Sequence, residues 1–334
     1  MLTATLTKTF LKRQPLLLDG GMGQELLHRG MKREHNLWSA NALSTMPEVV
    51  REIHKDYIHA GADIITTNTY ATVRQRLEPA GMGAEFASLN EQAGVLAQQA
   101  LEATYSTRSK EVWVAGSLPP LSLSFRPDLV GDFDDIVPEY QEQAEILAPY
   151  VDLFICETMS TSMEAKAAVI GALSTGKPVW VSWALEDDIH HNKVPRLRSQ
   201  ETLQEAISAI ADYPIYGYLV NCSTPESITA AIPEMVKVAT QTAQENYTSV
   251  DAPAIDKPDP IVGAYANGFA PLPKNWQSTA KRDEHGTRAE LSPNRYATFA
   301  QQWLADGAQV IGGCCEIGPA HIAKLRELLD ENSR

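Results

Sequence analysis

The sequence predicts a (β/α)₈ barrel, on three observations. Eight short apolar segments recur along the 334 residues. Helical periodicity fills most of the intervals between them, and each segment closes on small or polar residues. Apolar runs that are continuous, not alternating, mark strands buried on both faces, and eight strand–helix alternations close into a barrel.

The first strand is LLLDGG (16–21), ending on Asp19 and two glycines. The second, ADIITTNTY (62–70), ends on Thr67 and Asn68; the third, VWVAGSLPP (112–120), turns polar at Ser117. VDLFICET (151–158) ends on Glu157, and PVWVSWAL (178–185) is the fifth. YGYLVNCS (216–223) ends on Asn221 and Cys222, IVGAYANG (261–268) on Asn267, and AQVIGGCC (308–315) on Cys314 and Cys315. Clear helical patterns lie at 47–62, 200–213, 225–240 and 295–308, opening near Pro, Ser, Thr or Gln as capping requires. A doubly wound open sheet is the alternative, but DGGMG is too short and too early for a dinucleotide-binding turn. The chain reads as one domain over 1–334, with its core at about 14–328. Two stretches break the rhythm, 186–199 after the fifth strand and 269–292 after the seventh. Both follow strand C-termini, where barrel loops cover the active-site mouth.

Composition bounds the partners. Hydrophobic residues are 44% and charged residues 21%, ordinary for a soluble globular protein, and the net charge is −14. That field repels phosphate backbones and anionic lipid, so neither nucleic acid nor membrane is expected. The four cysteines, Cys156, Cys222, Cys314 and Cys315, form no disulfide framework. Reduced thiols, no signal-peptide core and no apolar run near the roughly twenty residues of a membrane span lead us to expect a cytoplasmic protein.

The chemistry concentrates at one barrel face. Cys222 ends strand six while Cys314 and Cys315 end strand eight, one strand away, so three thiols converge within metal-ligand reach. Three thiolates suit Zn²⁺ and leave a fourth position open, the arrangement of a catalytic site. The plainer reading, buried core cysteines, suits Cys156 inside LFICET. Gly312 and Gly313 are expected to let the backbone turn both vicinal sulfurs inward. Asp19 and Glu157 end buried strands, where a carboxylate needs a cation, and together they suit a substrate ammonium; turn capping is the competing role. His190 and His191 fit a solvated loop better than a zinc site. Trp38 and Tyr70 suit either the mouth or packing.

These segments carry a family resemblance. LLLDGGMGQELLHRG (16–30), LWSA (37–40), GADIITTNTY (61–70), VAGSLPP (114–120), DLFICET (152–158), LVNCS (219–223) and VIGGCCEIGPAHI (310–322) resemble the homocysteine S-methyltransferases over about residues 14–328. The resemblance implies zinc on Cys222, Cys314 and Cys315, with homocysteine sulfur in the fourth position. It implies that Asp19 and Glu157 contact the homocysteine ammonium, and that backbone near Gly20 and Thr67 meets its carboxylate. Asn68, Asn221 and Asn267 are the further substrate-binding candidates. The strand-seven segment AYANGF departs from the family's usual Tyr-Pro-Asn-Ser-Gly: Asn267 matches and the proline is missing. Betaine enzymes of this family place aromatic cage residues where this chain has Thr158 and Ala71, which favours a sulfonium donor, S-methylmethionine or S-adenosylmethionine. The alternatives are betaine, another sulfonium, a corrinoid protein as donor, or zinc and homocysteine binding without turnover. The expected partners are otherwise small molecules.

Overall fold

The computed structural model describes residues 15–32, 37–108, 110–187, 194–248, 260–271 and 286–332. The eight strands are β1 (Leu16–Leu17), β2 (Ile64–Thr66), β3 (Trp113–Leu118), β4 (Leu153–Met159), β5 (Val179–Trp183), β6 (Ile215–Asn221), β7 (Ile261–Ala266) and β8 (Val310–Gly313). Each falls inside or within one residue of its predicted segment. All pair in parallel in the order β1-β8-β7-β6-β5-β4-β3-β2. The ring closes between β1 and β2 through the parallel bridge Leu18 to Ile64. That seam is short, and Asp63 reinforces it: its carboxylate accepts the Leu17 amide at 2.9 Å and a guanidinium N–H of Arg326 at 2.6 Å.

Helices cover the outside. Three follow β1: α1 (Met22–His28), α2 (Trp38–Thr45) and α3 (Pro47–His59). After β2 come α4 (Arg74–Leu77) and α5 (Phe86–Ala103); α6 (Phe133–Leu147), α7 (Ser162–Leu173) and α8 (Leu203–Ser208) follow β3, β4 and β5. After β6, β7 and β8 lie α9 (Pro225–Thr248), α10 (Pro293–Ala305) and α11 (Pro319–Asn332). The pattern at 200–213 yields a shorter helix than its periodicity suggests. A Thr202–Glu205 capping box starts it. Residues 209–213 then tighten into i→i+3 turns, such as Tyr213 N–H to Ile210 O, ahead of Pro214, whose ring disfavours helix in the preceding residue. The 225–240 pattern instead continues to Thr248.

The strand period of two sorts the core. Alternate strand residues Leu16, Leu18, Ile64, Trp113, Ala115, Leu153, Ile155, Trp180, Leu219, Ile261, Tyr265 and Val310 form one buried cluster inside the barrel. The intervening residues, among them Leu17, Ile65, Val114, Phe154, Val181 and Ile311, join the larger cluster beneath the helices. Cys156 is fully buried in that outer layer, the packing role expected of it.

Candidate thiol and carboxylate site

The same parity builds the site. Two residues past interior Ala115, Ile155 and Leu219 stand Ser117, Glu157 and Asn221, so the barrel's apolar filling gives way to a polar layer at its C-terminal end. Ser117 donates a short hydrogen bond to Glu157, and Tyr265 donates its hydroxyl to Glu157 Oε2 at 3.2 Å. Ser182 donates to Asn221 Oδ1 at 2.7 Å.

One residue past Asn221, alternation would send Cys222 outward. Its backbone is left-handed instead, at φ 49°, which breaks the alternation, and its side chain packs with Cys314 and Cys315 at the mouth. Thr158, one past Glu157, is left-handed as well, at φ 62°. Asn221 secures that turn: Oδ1 accepts the Thr158 amide at 2.9 Å and Nδ2 donates to the Thr158 hydroxyl at 2.8 Å. Non-glycine residues with positive φ are uncommon and costly, and they persist where the surroundings over-determine them.

The strand ends are laced together. Cys222 N–H donates to Tyr265 O, Cys314 N–H to Ala266 O, Gly313 N–H to Asp19 O and Gly21 N–H to Ile317 O. A β-carbon on Gly20 would stand 2.0 Å from Ile317 O, and one on Gly313 would stand 2.2 Å from Ile317 Cγ2. The glycines at 20 and 313 therefore serve close approach of the β1 and β8 turns. That approach brings Asp19 beside the cysteines, and it is a different reason from the inward turning of sulfurs that the sequence suggested.

The Sγ atoms of Cys222, Cys314 and Cys315 all lie within 4.8 Å of one another, so the cluster could hold a metal ion. Three sulfurs this close suit a thiophilic divalent cation in a site with an open position. The hydrogen bonds Cys314 shares with Cys222 and Cys315, together with burial, push its thiol well above the ordinary range.

A cavity of about 320 Å³ opens over the sulfurs. Asp19, Gly20, Thr67, Asn68 and Glu157 line it together with all three cysteines. Burial raises Asp19 to about 8, against hydrogen bonds from the Thr66 amide and hydroxyl. Burial raises Glu157 to about 6, against the bonds from Ser117 and Tyr265. Both are poised to meet a cation, which would favour their charged forms. Thr67 Oγ1 accepts the Ser117 amide at 3.1 Å, and Asn68 Nδ2 donates to Ser39 O at 2.9 Å. Asn221 and Asn267 are buried and do not line the cavity. Tyr70 lines it, with its hydroxyl 2.7 Å from Ser124 Oγ. Trp38's side chain, His190, His191 and most of 269–292 lie outside the described residues.

The wall residues that went unread in the sequence include Tyr265 and Phe269 and two with left-handed backbone, Phe125 and Glu316, at φ 64° and 66°. Phe125 packs with Cys222, and the Arg198 guanidinium lies 4.8 Å from its ring centroid. Arg198 is in turn paired with buried Asp187 at 2.7 Å. The segment SLSFRP offers no periodicity that would place Phe125 on the cavity.

Comparison with known proteins gives a consistent picture. The chain is 29% identical to the homocysteine S-methyltransferase of Escherichia coli (strain K12), over 94% of this chain and 95% of that one. It is 26% identical to homocysteine S-methyltransferase 2 of Zea mays, covering 95% and 90% of the two chains. Its fold matches the metallated form of the homocysteine methyltransferase MmuM from Escherichia coli with a TM-score of 0.72, at 26% identity and 94% and 96% coverage. The homocysteine S-methyltransferase family model spans residues 16–329. With the barrel, the thiol cluster and this match along nearly its whole length, the chain belongs to the homocysteine S-methyltransferase family of methyl-transferring enzymes.

Proposed function

We propose that the chain transfers a methyl group from a sulfonium donor, S-methylmethionine first and S-adenosylmethionine second, to the thiol of L-homocysteine, with Zn²⁺ on Cys222, Cys314 and Cys315. The observation that carries the reading is the meeting, on one cavity, of three sulfurs within 4.8 Å of one another and two buried carboxylates. Cys222, Cys314 and Cys315 would hold the zinc, and a zinc ion there would lower the pKa of the homocysteine thiol and so favour the nucleophilic thiolate at neutral pH.

The chain's own residues do the rest. Asp19 and Glu157 hold the homocysteine ammonium, and its arrival favours the ionised form of both acids. Backbone near Gly20 and Thr67 faces the carboxylate. Asn68, Asn221 and Asn267 brace the surrounding turns. A lone pair on the homocysteine sulfur forms the new S–CH₃ bond as the donor's C–S bond breaks. That bond's electron pair stays on the donor sulfur, which departs as a neutral thioether, and the thiol proton goes to solvent. No general acid is needed, because the leaving group is neutral. The walls position the two sulfurs in line, the main rate contribution open to a site of this kind.

Betaine is the second reading, favoured by one observation. Thr158 and Ala71 offer no cage, but Tyr70, Phe125, Tyr265 and Phe269 all line the cavity, and aromatic faces are what a trimethylammonium requires. Competition decides between them: with homocysteine and equal S-methylmethionine and betaine, we expect S-methylmethionine to be demethylated first. Preferential loss of betaine would replace the sulfonium reading with the aromatic one. Zinc analysis of reduced protein completes the test. We expect one zinc per chain, lost with activity in Cys314→Ser.

A further inference from the structure

The cavity wall carries a third carboxylate that the acceptor does not use. Asp19, Glu157 and Glu316 line the cavity, and among the described residues no lysine, arginine or histidine does. Asp19 and Glu157 are fastened by Thr66, Ser117 and Tyr265. Among the described residues Glu316 has no such fastening. It follows Cys315 directly, and its side chain is only 9% exposed. The ion pair it makes is a long one, 3.9 Å to Nε2 of His28, whose side chain is 59% exposed and charged only when protonated.

Its backbone is one that glycine adopts at lower cost, at φ 66°. The turn after β7 gives way to it, since a β-carbon on Gly268 would stand 2.8 Å from Glu316 Cβ. A mostly buried carboxylate without a firm partner is unfavourable unless a cation reaches it.

We propose that Glu316 is a donor-specificity residue, taking the ammonium of a sulfonium amino acid while the donor's methyl-bearing sulfur faces the cysteine cluster. The proposal rests on the sulfonium reading above and names the chemistry that reading leaves open. A sulfonium amino acid carries two positive charges and one negative, so a third carboxylate beside the pair assigned to homocysteine matches its surplus charge. Betaine carries one of each, and its trimethylammonium offers no N–H to an acid at the rim.

The test compares two sulfonium donors: S-methylmethionine, which carries an ammonium and a carboxylate, and trimethylsulfonium, which carries neither; of the two groups only the ammonium can pair with an acid. Glu316→Gln keeps the shape and removes the charge; Glu316→Gly removes the side chain and suits the backbone. In both variants we expect the KM for S-methylmethionine to rise about tenfold, the scale of one charge-assisted hydrogen bond. The KM for homocysteine, the zinc content and the turnover of trimethylsulfonium should stay at wild-type values. An unchanged KM for S-methylmethionine in both variants would overturn the role of Glu316 and leave the sulfonium reading standing. An equal loss for both donors would overturn it too, by showing that the residue only supports the loop. Wild-type protein that turns over neither donor overturns the sulfonium reading itself, and the role of Glu316 with it.

Discussion

Glu157 is where charge, burial and position meet most tightly. The strand alternation of β4 makes it an interior residue, and its place at the end of the strand makes it a wall residue of the cavity. Glu157→Gln retains the shape and leaves hydrogen-bond partners for Ser117 and Tyr265, but removes the charge that we propose meets the homocysteine ammonium. Losing a charge-assisted hydrogen bond in a buried site costs about 1.5–3 kcal/mol, so kcat/KM for homocysteine should fall roughly ten- to a hundredfold. Zinc content should not change, because Glu157 contributes no ligand. Steady-state kinetics with homocysteine varied checks this, and wild-type values would remove Glu157 from substrate recognition. At this scale the sequence was legible for residues at strand ends and silent for Phe125 and Glu316. Their positions depend on left-handed backbone and on loops folding back over the mouth, which no local pattern encodes. Asn221 shows the converse: a polar residue at a strand end whose side chain is taken up by Thr158 and Ser182.

Among elements, the strands were the readable part, because burial on both faces leaves an unbroken apolar run whatever the neighbouring helices do. Helix limits were less so. The 200–213 and 225–240 patterns differ from the helices found because capping, proline and tertiary contact set the ends. The helix α3 carries a feature its periodicity hides. His54 lies on its buried face with no exposure, and neither ring nitrogen has a hydrogen-bond partner. Burial lowers its pKa from 6.5 to about 4. The unfolded chain therefore binds a proton in the window from about pH 6.5 down to 4 that the folded chain refuses. By linkage the fold loses stability as pH falls through that window, by a total of about 3 kcal/mol from this one group. The raised carboxyls Asp19, Glu157 and Glu164 act with the opposite sign, so the wild-type profile is a composite. The difference between wild type and His54→Leu isolates the histidine. The variant should gain stability relative to wild type on acidification from pH 6.5 to 4.5. Denaturant midpoints measured at both pH values check it, and a parallel pair of curves would contradict it.

At the scale of the molecule, the question is whether the thiol cluster helps to hold the fold or only uses it. A chain of this size buries enough apolar surface to need no metal staple. Here that surface is divided between a barrel interior of alternating strand residues and a larger layer beneath the helices. The cysteines stand above both, at the C-terminal mouth, where they contact the small group of Phe125 and Ala184. The seam between β1 and β2 is closed independently, by the Leu18–Ile64 bridge and by Arg326 on Asp63. The turns that carry the sulfurs are tied by backbone hydrogen bonds of their own, such as Cys222 to Tyr265 and Cys314 to Ala266. Removing a metal from such a site takes away a reactive centre and leaves these ties in place. Chelation should therefore abolish methyl transfer while the far-ultraviolet circular dichroism stays nearly unchanged, with activity restored on adding zinc to the reduced protein. The melting temperature should fall only by the binding contribution of the ion, not to the point of unfolding at assay temperature. Global unfolding on chelation would instead show that the cluster is part of what holds the β6–β8 wall together.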